Sequence, residues 1–327
     1  MKARHVTAVV ILVITVIATV FAPWVAPHDS HEQFADYPYA PPMRPHVIDD
    51  TGSWRMPFVY PVRLVDRLSV QYVEDRSSRI PLTAMWTHRD APPIFLLGTD
   101  ALGRDLLARL LVGSRASMGI AVTATVGALL IGLLLGAVAG YARGTVDELT
   151  MRFAEMILVL PALYVILALR AVLPLVLDPR DVFIGIAAVL AAVGWPMVAR
   201  GVRAIVAVEC SLDYAVAARA CGASSARLIF RHALPATAGF LGTQAALLVP
   251  ACAIAEATLS FAGFGFAEPT PSWGTMLQEA GNVRSLGEYP WLLAPAVAIA
   301  LVSWAMHAVV GADREAVLLR RNAELRT

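Results

Sequence analysis

Six stretches of this chain are long and apolar enough to cross a lipid bilayer, and that feature constrains the fold more than any other. A hydrocarbon core about 30 Å thick is crossed by about 20 helical residues. Runs of that order occupy residues 6–24, 117–141, 156–177, 182–198, 237–262 and 291–310. Composition agrees with them: 58% of the 327 residues are hydrophobic, 16% are charged against roughly a quarter in a soluble domain, and the mean hydropathy is +0.65. The expectation is therefore an all-α polytopic membrane protein with six transmembrane helices. The first run follows a short basic start, Lys2 and Arg4. A signal peptide is the competing reading, but the apolar stretch 6–22 exceeds a usual signal core and no small-x-small cleavage site follows it.

The flanks of the runs set the sides, because short cytoplasmic loops collect Arg and Lys. Lys2 and Arg4 precede the first run, and Arg143 and Arg152 lie between the second and third. Arg200, Arg203, Arg219, Arg227 and Arg231 fall between the fourth and fifth, and Arg314, Arg320, Arg321 and Arg326 follow the sixth. A six-helix threading puts all of these on one side, while the opposite short loops hold only Arg180 and Arg284. Both termini are expected in the cytoplasm, in a cell inner membrane. Residues 26–97 are too polar for lipid and too rich in proline, including Pro38, Pro41, Pro42, Pro45, Pro57 and Pro61, for a continuous helix. They form an external insertion, with short strands expected at Phe58-Val59-Tyr60 and at residues 70–73. The domain reading is a first helix at 1–25, the insertion at 26–97, a core at 98–311 and a cytoplasmic tail at 312–327.

Several functions are excluded on elementary grounds. A net charge of +1 offers no field for nucleic acid. The only lysine is Lys2, so a G-x-x-x-x-G-K-[ST] phosphate loop, whose lysine meets the β- and γ-phosphates, is impossible. Cys210, Cys221 and Cys252 are an odd, scattered set that fits neither a disulfide framework nor a thiolate zinc site, and they read as packing residues. His28, His31 and Glu32 read as a solvated loop rather than as metal ligands, and no cofactor is expected. H-E-x-x-H and G-x-S-x-G are both missing, against an intramembrane protease.

The segment 209–235 has helix chemistry at both ends. Ser211 is the expected cap of a first helix, Gly222 its left-handed terminator, and Ser224 or Ser225 the start of a second, with Pro235 in the first turn of the next element. Ala215, Ala217, Ala218 and Ala220 leave a low surface for close approach. In the second run Gly127, Gly132, Gly136 and Gly140 recur at small-x-x-x-small spacing. Pro161, Pro174, Pro196 and Pro250 are candidate kinks. Glu256 and Arg170 are the ionisable residues hardest to place in lipid; Glu256 is read as either structural or pathway-lining, and Arg170 as reaching an interface.

Ala217-Ala218-x-x-x-Gly222 followed by His232-Ala-Leu-Pro235 resembles the EAA loop of ABC-importer permeases, the inner-membrane components of binding-protein-dependent transport systems. Leu97-Gly98-Thr99-Asp100-Ala-Leu-Gly103-Arg104-Asp105 resembles the signature that precedes helix two in the dipeptide/oligopeptide/nickel branch. The stretch from Ala255 to Gly265, with Pro269-Thr-Pro-Ser-Trp-Gly274, resembles that branch's signature after helix five. The resemblance implies a type I importer permease for peptides or similar small solutes, with nickel or another small solute as the alternative substrate. Its implied partners are a second homologous permease, two cytoplasmic ABC ATPase domains, an external solute-binding protein and the lipid bilayer. It implies ATPase coupling through Asp213, Ala217, Ala218, Arg219, Gly222, Ala223, His232, Leu234 and Pro235. Val216 stands where the family has its glutamate, so an ion pair from that position is lacking, and the insertion is longer than most members carry. An ion-gradient transporter is the alternative; it leaves the loop unexplained, and no inverted repeat is evident.

Overall fold

The computed structural model describes residues 2–48, 54–67, 69–83, 92–161, 164, 178–281 and 287–324. The chain divides into two compact units, one of Met1–Leu12, Met118–Leu259 and Val302–Thr327, the other of Val13–Ser117 and Ser260–Leu301. The principal helices are α1 (Lys2–Val20), α2 (Leu106–Ala142), α3 (Gly144–Val159), α4 (Pro179–Glu209), α5 (Asp213–Ala220), α6 (Ser225–Leu228), α7 (Ala238–Phe261), α8 (Trp273–Ala280) and α9 (Ala294–Glu324). Among the described residues, four helical spans are long and apolar enough to cross a membrane: Leu106–Ala142, Pro179–Glu209, Ala238–Phe261 and Pro290–Gly311; Arg4–Val20 is a shorter apolar helix. Val6, Ile14, Leu130, Leu134 and Val297 are exposed on these helices, which suits side chains that meet lipid rather than water.

The third expected crossing, 156–177, starts as the last turn of a helix that begins at Gly144. Helix α3 ends at Val159 because Pro161 lacks an N–H and forces Leu160 into extended backbone, with ψ 121°. The remainder of that run, including Arg170 and Pro174, falls outside the described residues. Pro196 and Pro250, in contrast, lie within α4 and α7, which continue through them.

In the first unit, the glycine stripe does what its spacing implies. A Cβ at Gly132 would lie 2.5 Å from Val198 Cβ, one at Gly136 2.5 Å from the Ala199 carbonyl oxygen, and one at Gly140 2.6 Å from the Arg203 carbonyl oxygen. Helices α2 and α4 therefore meet nearly backbone to backbone, the approach that drives helix association where water supplies no hydrophobic force. Ala137, Val198, Val202, Val206, Cys210 and Ala233 form the core beside the stripe. Trp195 and Ala199 of α4 enclose Ala154 of α3, and Ala8 of α1 packs with Ala305 and Ala308 of α9.

The second unit adds strands to a mostly helical chain. Strands β1 (His46–Ile48), β2 (Trp54–Val59) and β5 (Ile80–Pro81) form an antiparallel sheet in the order β1-β2-β5, and β3 (Val62–Asp66) pairs with β4 (Gln71–Glu74). Both expected strand sites thus belong to larger sheets. Met43, Val59, Val62, Ile80, Ile94 and Phe95 build their core, and Leu106, Met276, Ala280 and Leu292 form a second cluster. His28 is also corrected: its ring sits edge-on to Phe34 and its Nδ1 lies 2.8 Å from Asp105 Oδ2, so it is held in the fold rather than solvated. Among the described residues no three metal-ligating side chains gather.

Candidate functional site

Two arrangements gather the residues that the sequence singles out. The first is segment 209–235. Helix α5 begins after Leu212, which has no side-chain cap, while the Ser211 hydroxyl donates back to the Val208 carbonyl at 2.7 Å; the expected Ser211 cap is incorrect. Gly222 has φ +84° and no atom within 4 Å of a Cβ built on it, so its left-handed turn is set by backbone and open to solvent. Ser224 caps α6, accepting from the Arg227 N–H. A π-helical turn, Ile229–Ala233, then joins Leu234–Ala236, with Pro235 in the first turn of that short helix. The wide turn sits where the proline removes an N–H from the ladder.

Asp213, Ala217, Arg219 and Gly222 are exposed, Ala218 and Ala223 are half-buried, and Val216 and Phe230 present 55% and 68% of their surface. Cys221 is exposed, against the packing reading, whereas Cys210 and Cys252 are buried. The segment is anchored from behind. The Tyr214 hydroxyl donates to Glu209 at 2.6 Å, which pushes the Tyr214 pKa up to about 12, and its ring lies 5.5 Å from that of His232. The Tyr141 hydroxyl donates to Ser225 Oγ at 2.6 Å, and the Arg219 guanidinium lies 5.4 Å from the Tyr141 ring centroid. Arg203 grips Asp147 through Nε at 2.7 Å, a hydrogen bond that holds the Asp147 carboxyl below its usual range.

The second arrangement is an ion cluster in the other unit. Gly98 (φ +78°) and Gly103 (φ +73°) allow the loop before α2 to double back against Ala40 and Phe34. Thr99 Oγ1 accepts from Ala40 N at 2.7 Å and donates to the Tyr37 carbonyl, fixing the loop to the insertion. Asp100, fully buried, accepts from Leu102 N and Arg104 N at Oδ1 and from Arg104 Nε, at 2.6 Å, at Oδ2, the oxygen to which Arg109 also donates. Arg104 continues to Glu268 at 2.7 Å and Glu279 at 3.0 Å, and Arg109 reaches Glu268 at 2.8 Å. Asp105 holds His28 and caps α2 through Leu107 N.

Two guanidiniums thus face three carboxylates. Burial drives the Glu268 carboxyl up, but hydrogen bonding and charge from Arg104 and Arg109 outweigh it and hold it below its ordinary value. Glu279 goes the other way: burial first, then the Asp100 charge, raise it to about 7 despite both arginines. It lines an open cavity of about 540 Å³ with Gln33, Leu102, Arg104, Glu268 and Gln278. The signature before α2 thus pairs with Glu268 and Glu279, which flank residues 269–274 on either side. The capping box of Ser272 with Thr275 starts α8, and Trp273 N donates to Ser117 Oγ at 3.0 Å, closing the same junction. Sequence reasoning missed Arg109, Glu268 and Glu279. A charge so close to the apolar run, as at Arg109, was the available signal. Glu256 is fully buried in α7.

Residues 132–312 match the family described as binding-protein-dependent transport system inner membrane component, and residues 5–42 match the N-terminal TM domain of oligopeptide transport permease C. The di/tripeptide transport system permease protein of Pseudomonas aeruginosa is 35% identical over 269 residues, covering 82% of this chain and 73% of that protein. The oligopeptide transport system permease protein of Bacillus subtilis is 36% identical over 231 residues, 70% of this chain and 73% of the relative. The dipeptide transport system permease protein of Bacillus subtilis is 35% identical over 223 residues, 68% of each.

Proposed function

Because this chain belongs to the family of binding-protein-dependent transport system inner membrane components, we propose that it is the permease subunit of an ATP-driven importer of peptides or similar small solutes, with segment 209–235 docking on a cytoplasmic ATPase. The assembly comprises this chain, a second homologous permease, two ATPase domains and an external solute-binding protein. Peptides are favoured over nickel because the relatives above carry di/tripeptide, oligopeptide and dipeptide transport in their names. The arginine distribution supports cytoplasmic termini, a cytoplasmic 209–235 loop and an external 26–97 insertion.

The observation that carries this reading is an exposed helix–turn–helix between two long apolar helices, α4 and α7. Alanines at 217, 218 and 220 keep one surface low, so a groove in the ATPase can close on the backbone. Phe230 supplies the main apolar area, and burying it contributes about 1.5–3 kcal/mol. With Val216 in place of a carboxylate, docking rests on shape and apolar contact. Asp213 and Arg219 are its exposed charges, while His232, Leu234 and Pro235 set how the segment leaves toward α7. Hydrolysis belongs to the ATPase subunits, since Lys2 is the chain's only lysine. Helix α4 leads directly into the docking segment, and its close packing on α2 lets the pair move together during alternating access. The external cluster around Asp100, Arg104 and Arg109 braces the start of α2. The test is purification with both ATPases and the second permease: solute-loaded binding protein accelerates ATP hydrolysis in the wild-type complex, and Ala218→Trp loses the ATPase. Full ATPase retention by Ala218→Trp overturns the assignment of the loop.

A further inference from the structure

We propose that Tyr141 is the positioning residue that transmits movement of the docking loop to helix α2. The inference rests on the reading of segment 209–235 as the ATPase contact and adds the residue that relays it. Tyr141 lies in the last turn of α2. Its partly buried side chain packs against the core that includes Ala137, Val202, Val206 and Cys210. Its remaining groups hold both limbs of the loop. The guanidinium of Arg219, from α5, lies 5.4 Å from the ring centroid, and the hydroxyl donates to Ser225 Oγ, at the start of α6, at 2.6 Å. The two limbs are joined at Gly222, whose open left-handed turn makes no side-chain contact that could lock their angle. A single side chain therefore spans the Gly222 turn of the loop and belongs to a helix packed closely on α4.

The chemistry fits a relay better than a glue for docking. Each contact is modest: a cation over an aromatic face and a neutral hydrogen bond, both at the surface. Both are made within the chain. The neighbouring ties run elsewhere: Tyr214 to Glu209 and His232 joins α5 to the end of α4 and to the π-helical turn, while Arg143 to the Ala207 carbonyl and Arg203 to Asp147 join the α2–α3 connection and α3 to α4. Among these, Tyr141 is what connects the loop to α2.

The test uses the full complex in proteoliposomes and measures solute imported per ATP hydrolysed, together with ATPase retention. Tyr141→Phe keeps the ring beneath Arg219 and loses only the hydroxyl; Tyr141→Leu loses both contacts. The expected result is normal ATPase retention in both variants, with import per ATP falling about twofold in Tyr141→Phe and about tenfold in Tyr141→Leu. Ser225→Ala is expected to match Tyr141→Phe, and the double variant to be no worse than either alone, since both remove one bond. Unchanged import per ATP in Tyr141→Leu overturns the relay, as does a parallel loss of ATPase retention. If Ala218→Trp also retains the ATPase, the loop assignment itself has failed; if Ala218→Trp releases it while Tyr141→Leu couples normally, only the relay has failed.

Discussion

Replacing Glu279 by Gln tests the electrostatics of the cluster around Asp100, Arg104 and Arg109 quantitatively. Glu279 is 23% exposed, and burial and the neighbouring Asp100 raise its carboxyl from 4.5 to about 7. At roughly 1.4 kcal/mol per unit, that rise is worth on the order of 3 kcal/mol. The folded state binds the proton more tightly than the unfolded chain does. Its contribution is therefore full below the unfolded value of about 4.5 and is lost as pH rises through about 7. Glu279→Gln keeps an oxygen that accepts from Arg104 but carries no charge at any pH. Thermal unfolding of the purified protein in detergent at pH 5 and pH 8 measures the difference. The wild type is expected to lose stability between the two, the variant to lose markedly less, and the variant to be the more stable at pH 8. Equal pH dependence in both proteins would refute the argument, since it would mean that Glu279 is ionised throughout and fully compensated by Arg104 and Arg109.

The remaining predictions concern the loop, the helix pair and the topology. Gly222→Val is expected to cost about 1–3 kcal/mol of backbone strain at φ +84° without any clash, and to abolish solute-stimulated ATP hydrolysis more completely than Gly222→Asn, as read in the purified complex. Gly136→Leu forces apart α2 and α4, where a Cβ already meets the Ala199 carbonyl at 2.5 Å; a loss of about 1–3 kcal/mol is expected, seen as a lowered unfolding temperature. Cysteines placed at Ser77 and Ala226, both exposed, in a chain lacking the native three are expected to label from opposite faces of the membrane with an impermeant reagent. ATPase binding is expected to persist in raised salt, because Val216 takes the place of an ion-pairing residue; release by salt in a co-purification would contradict apolar docking.

What was legible in the sequence follows from which interactions are local. The apolar runs reveal helices because the bilayer fixes their length, and Gly132, Gly136 and Gly140 reveal a packed face because helical periodicity places them together. Gly222 and Ser224 were readable as turn and cap because the partners of such residues lie within a few positions. Ser211 failed at that same scale: its hydroxyl had two backbone options and took the Val208 carbonyl behind it rather than an N–H ahead. Pro161 was read as a kink, yet in extended backbone at Leu160 it ends α3. The ion cluster was half legible. Asp100 and Arg104 belong to one motif, but Glu268 and Glu279 pair with the arginines across 159 to 175 positions, a distance over which composition and spacing carry no signal. The strands between residues 46 and 81 were likewise glimpsed only where apolar residues cluster, because strand pairing is set by partners rather than by the strand itself.

Uptake of a radiolabelled peptide into proteoliposomes tests the central claim most directly. The vesicles hold this chain, its companion permease and both ATPases, with ATP enclosed and the solute-binding protein outside. The account predicts accumulation that requires ATP and the binding protein, is insensitive to collapse of ion gradients, and disappears with Ala218→Trp. Accumulation driven by an ion gradient in vesicles that contain this chain alone, with no ATPase present, would contradict it.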